Sequence, residues 1–102
     1  MTKKFKTDKP LPTEHEREVL TILVEEAAEV QQRATKMLRF GAAEIQSGQD
    51  LTNSERLSME IGDFITMVQR AAALDLVSHD FIQRGSKQKE LRLAKYMQTE
   101  AP

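Results

Sequence analysis

Two short stretches place acidic side chains among apolar neighbours. The first, residues 23–30, reads L-V-E-E-A-A-E-V and contains Glu25, Glu26 and Glu29. The second, residues 59–65, reads M-E-I-G-D-F-I and contains Glu60 and Asp63. On a helix, Glu26 and Glu29 stand about 60° apart and Glu25 and Glu29 about 40° apart, and Glu60 and Asp63 repeat the three-residue step. Two such helices facing each other bring at least four carboxylates into a partly dry groove. Ionised carboxylates in that setting repel one another and lose hydration, so they need a cation. An all-oxygen donor set without Cys or His favours Mg²⁺, with Mn²⁺ as the other candidate.

Acid pairs on helices usually belong to solvated faces. Here Ile22, Leu23, Val24, Ala27, Ala28 and Val30 flank the first stretch and leave little room for a wide polar face. In the second, Phe64 and Met67 stand four residues after Glu60 and Asp63, where a neutralising Lys or Arg would sit. Each stripe then runs on to cations, Arg33 and Lys36 in the first case and Arg70, beyond Met67, in the second. The span from Glu29 to Lys36, about 10 Å along a helix axis, suits a metal-bound polyphosphate whose far oxygens are gripped by Arg or Lys. Each of these cations is equally readable as an ordinary solvated helix charge. His15 and His79 fall near expected helix starts, away from both acid stretches, and are expected on the surface. The sequence has no Gly-rich phosphate loop, no H-E-x-x-H and no Glu-x-x-His pair, and nothing marks a nucleophile.

The elements that must position these residues are helical. Ala, Leu, Glu, Gln, Lys, Arg and Met are abundant, and the three prolines stand at positions 10, 12 and 102, outside every periodic segment. Thr13 opens T-E-H-E, a capping box, and apolar residues then recur at three- and four-residue steps to Leu38. One long helix over about Glu14–Phe40 is expected. Gly41–Asp50 reads as a connecting loop, longer than the roughly 2–8 residues usual between bundle helices, and so a candidate functional loop. Thr52 or Asn53 caps a second helix with Leu57, Ile61, Phe64, Val68, Ala71 and Leu74 as its buried stripe, ending about Leu76. Mid-helix Gly62 costs about 1 kcal/mol relative to Ala, and reads either as room for a close-packed helix or ligand, or as simple relief of crowding. Ser78 starts a short helix ended by Gly85, and Ser86 caps a last one with Leu91, Ala94 and Met97 or Tyr96 inward. Lys87, Lys89, Arg92 and Lys95 then face outward. Residues 1–12 read as a flexible arm, 13–98 as one helical domain and 99–102 as a tail.

Composition bounds the function. With 39% apolar and 30% charged residues the chain suits one small globular domain. A net charge of −1 and few aromatics argue against a nucleic-acid partner. The absence of cysteine excludes disulfides and thiolate chemistry. No apolar run approaches the roughly 18 residues of a membrane span, and no signal-peptide core follows the Lys-rich start. A cytoplasmic protein without membrane association is expected. A core this thin also predicts that helix faces are buried between subunits.

The E-E-A-A-E of Glu25–Glu29 and the E-I-G-D of Glu60–Asp63, in order on successive expected helices, resemble the EExxE and ExxD motifs of the MazG-like all-α nucleoside triphosphate pyrophosphohydrolases. The resemblance spans roughly residues 14–97. It implies an antiparallel helical bundle completed by oligomerisation, as a homodimer or homotetramer. It further implies cleavage of a nucleoside triphosphate between the α and β phosphorus, giving monophosphate and pyrophosphate. By position, Glu26, Glu29, Glu60 and Asp63 would be Mg²⁺ ligands. Glu25 would be an additional or outer ligand or would orient the attacking water, and Glu25 and Glu29 are the catalytic candidates. Arg33, Lys36 and Arg70 are candidates for stabilising the pyrophosphate leaving group. Related enzymes acting on dUTP, dCTP or phosphoribosyl-ATP would share the metal site. A non-catalytic helical dimer binding nucleotide or a protein partner is the alternative from another class.

Overall fold

The computed structural model describes residues 11–99, and over them the chain is all-helical, with three helices and no strand. The expected N-terminal arm lies outside the described residues except for Leu11 and Pro12, and so does the C-terminal tail beyond Thr99.

Helix α1 spans Glu14–Phe40, as the spacing predicts. Its first turn is closed by the capping box: Glu16 N–H donates to Thr13 Oγ1 at 3.1 Å, and Thr13 N–H donates to Glu16 Oε1 at 2.9 Å. Gly41, at φ +88°, ends the helix in a backbone region that side chains other than glycine rarely enter. Helix α2 spans Asn53–Ala73 and opens in a second capping box, Thr52 with Glu55. It stops before the expected Leu76 because the chain turns through a C-terminal cap. Leu76 N–H donates to the Ala71 carbonyl at 2.9 Å, Asp75 N–H to that of Ala72 at 3.0 Å, and Asp75 takes a left-handed φ of +59°.

Helix α3 spans His79–Tyr96 without a break. This corrects the expectation of two shorter helices divided at Gly85. Glycine lowers helix stability by about 1 kcal/mol but removes no hydrogen bond, so it does not end a helix as proline does. Ser78 caps the start, its Oγ accepting from Phe81 N–H at 3.3 Å. Ser86, read as a cap, lies inside the helix.

α1 and α2 pack together, whereas α3 makes only marginal contact with another helix. α1 and α2 run antiparallel: Asn53, at the start of α2, bonds back to Gly41, at the end of α1. The apolar core is small. Val19, Ala71 and Ala72 are its buried members, while Leu57, Phe64, Val68 and Leu74 are half-buried. Ile61, expected inward, is exposed, as are Val24, Leu38, Met59 and Ile65. The α3 residues expected inward, Leu91, Ala94, Tyr96 and Met97, are also exposed, because no second layer of this chain lies over them. The radius of gyration of 17.8 Å exceeds the roughly 13 Å usual for 100 compact residues. No helix is long and apolar enough to cross a membrane among the described residues.

Candidate metal centre

Midway along the hairpin, one carboxylate oxygen each from Glu26, Glu60 and Asp63 lies within 4.8 Å of the other two. Two elements supply them: Glu26 from α1, Glu60 and Asp63 from adjacent turns of α2. Glu26 is half-buried, and its Oε2 is inaccessible with no hydrogen-bond partner among the described residues. Desolvation is the main reason its carboxyl titrates above the ordinary 4.5, followed by the charges of Asp63, Glu60 and Glu29. A buried oxygen lone pair facing two further acids is a defect that a hard divalent cation would cure. The donor set therefore fits Mg²⁺ or Mn²⁺.

Of the five acids singled out by sequence, the fold brings three into direct proximity. Glu29 stands outside the triad, exposed, but close enough for its charge to act on Glu26. Glu25 is exposed and outside it as well.

The three expected phosphate-binding cations separate. Arg33 is buried, with Nη1 lacking a hydrogen-bond partner among the described residues. Lys36 turns the other way, its Nζ 5.8 Å from the centroid of the Phe40 ring. Arg70 is exposed in the last turn of α2. Because the helices are antiparallel, Arg33 and Arg70 lie on opposite sides of the triad, about 20 Å apart along the hairpin by helical rise. They do not converge on one anion within a single chain. Gly62 is exposed and a Cβ added there would meet nothing, so neither close packing nor crowding within this chain requires it. His15 and His79 are exposed, as expected.

Sequence reasoning named Asn53 only as a cap and missed its larger part. Its side chain is the largest that is fully buried. Nδ2 donates to the Gly41 carbonyl at 2.9 Å and to Glu44 Oε1 at 3.1 Å. Its own N–H donates to the Glu44 carbonyl, and that of Ser54 to Ala42. Arg56 Nη1 adds a bond to Gln46 Oε1 at 2.9 Å. The long loop is thus tied to the first turn of α2 and holds the two helices in register. An Asn beside an N-cap, following a polar loop, is too common a signal to have revealed this.

Comparison with protein-family models, with curated proteins and with solved structures gives no match to this chain.

Proposed function

We propose that this protein is a Mg²⁺-dependent nucleoside triphosphate pyrophosphohydrolase that cleaves the α–β phosphoanhydride bond to give monophosphate and pyrophosphate. The observation that carries the reading is the unpartnered, inaccessible Glu26 Oε2 within a triad of carboxylates drawn from two helices. The resemblance to the MazG-like motifs supports it and supplies the reaction.

Glu26, Glu60 and Asp63 would hold the ion, with Glu29 adding negative charge beside them. When bound, Mg²⁺ neutralises phosphate charge and lowers the pKa of coordinated water. Glu29, about one helical turn after Glu26, and Glu25, its immediate neighbour in the sequence, are the carboxylates of α1 available to orient the attacking water and accept its proton. The exposed apolar residues of α1, α2 and α3 fit assembly as a homodimer or homotetramer. Base recognition would fall to the Phe40–Asn53 loop, the N-terminal arm or a second subunit.

The same apolar exposure favours the competing reading, a non-catalytic helical dimer. Release of pyrophosphate or orthophosphate from a panel of nucleoside triphosphates with Mg²⁺ separates the two. Pyrophosphate release that falls at least about 100-fold in Glu60→Gln and in Asp63→Asn, with helical content retained, is the expected result. Equal turnover in wild type and both variants would remove the site assignment, and no turnover on any substrate would leave the scaffold.

A further inference from the structure

Arg33 is the one charged side chain that is buried among the described residues, at 8% exposed. No carboxylate there neutralises it, since the single ion pair within 4.0 Å joins His15 and Glu18. A guanidinium withdrawn from water with Nη1 unpaired carries a large desolvation cost. Glu26 has the complementary defect, a buried and unpartnered carboxylate oxygen. The two residues are seven positions apart, hence on one face of α1 and about 10 Å apart along its axis. Long helical side chains lean toward the helix N-terminus, which for Arg33 is the direction of Glu29 and Glu26. Yet the two charges do not meet.

We propose that Arg33 is the anion anchor of this site. It grips the terminal phosphate of a linear phosphoanhydride whose other end is bound, through a divalent cation, at Glu26, Glu60 and Asp63. The ligand then lies along α1 and points toward the loop after Gly41. A planar guanidinium matches two phosphate oxygens at once, which an ammonium does not. Orthophosphate is too short to join the two ends, whereas pyrophosphate and triphosphate are long enough without any nucleoside. This inference rests on the metal-site reading above. Lys36, turned to Phe40, and Arg70, beyond the far end of the triad, take no part.

The test uses the full chain, with Mn²⁺ binding followed by electron paramagnetic resonance and inorganic pyrophosphate titrated calorimetrically in Mg²⁺. Wild type should bind both, and bind orthophosphate far more weakly. Arg33→Met should lower pyrophosphate affinity about 10- to 100-fold, leave Mn²⁺ occupancy unchanged, and melt at the same or a higher temperature. Arg33→Lys, which keeps the charge without the fork, should recover part of that loss. Unchanged pyrophosphate affinity in Arg33→Met, or orthophosphate binding as tightly as pyrophosphate, overturns the assignment. So does an Arg33→Met chain that melts lower and changes its oligomeric mass, which would pair Arg33 with a carboxylate of a second copy. Wild type that takes Mn²⁺ but ignores pyrophosphate removes this inference alone, whereas wild type that takes no Mn²⁺ removes the metal site with it.

Discussion

α1 and α2 each open in a capping box, are tied to each other through Asn53, and close on glycine or a left-handed Asp75. α3 has a single serine cap, no buried residue and only marginal contact with the others. All three helices carry apolar residues at helical spacing, so periodicity does not distinguish them. The hairpin differs in having a partner surface, and with it come desolvated polar groups: Glu26, Arg33 and Asn53. Burial is what makes a charge costly and therefore responsive to a ligand. The outer helix, with no buried residue, offers apolar area such as Phe81, Leu91 and Tyr96 instead. In this chain the packed part gathers three carboxylates that could hold a cation, and the unpacked part leaves apolar side chains exposed.

The contrast is broken most severely at its joint. Asn53→Ala removes two side-chain hydrogen bonds and strands the Gly41 carbonyl, at a cost of about 1–3 kcal/mol. It should lower the unfolding midpoint and weaken Mn²⁺ binding, because the register of Glu26 against Glu60 and Asp63 depends on that tie. Retained Mn²⁺ affinity would show that the register is set by helix packing alone.

A smaller change sharpens it. Gly85→Ala meets nothing within 4 Å in this chain and should stabilise α3 by about 1 kcal/mol. Amide hydrogen exchange should slow within 79–96 and stay unchanged in α1 and α2. Slowing throughout would mean that α3 and the hairpin unfold as one unit.

The smallest effect is on pH. Glu26 keeps its proton to higher pH when folded than when unfolded, so between 4.5 and its raised folded value the folded state binds more protons. Stability from this group is therefore fully present below 4.5 and falls as pH rises through that folded value. Glu55 works oppositely: the Thr52 backbone N–H and then the Thr52 side chain bond to its carboxylate and lower its value, so its contribution is lost as pH falls. Thermal midpoints of wild type and Glu26→Gln across pH 4–7 should diverge as pH rises, and saturating Mg²⁺ should reverse the penalty in wild type alone. Parallel curves would place Glu26 in ordinary solvent.

The limits of α1, the start of α2 and the positions of the acids were legible in the sequence. Each follows from interactions within three or four residues: a threonine, a glutamate at the third helical position, a glycine where φ must be positive. The run through Gly85 was misread because glycine only weakens a helix, and the early end of α2 because Asp75 occupies a position where glycine is usual. Which of five acids share one space, that Arg33 is buried while Lys36 turns to Phe40, and that α3 lies bare depend on how two helices are set against each other. That setting comes from axial register and side-chain rotamers across a non-local contact, which helical spacing along one chain does not encode.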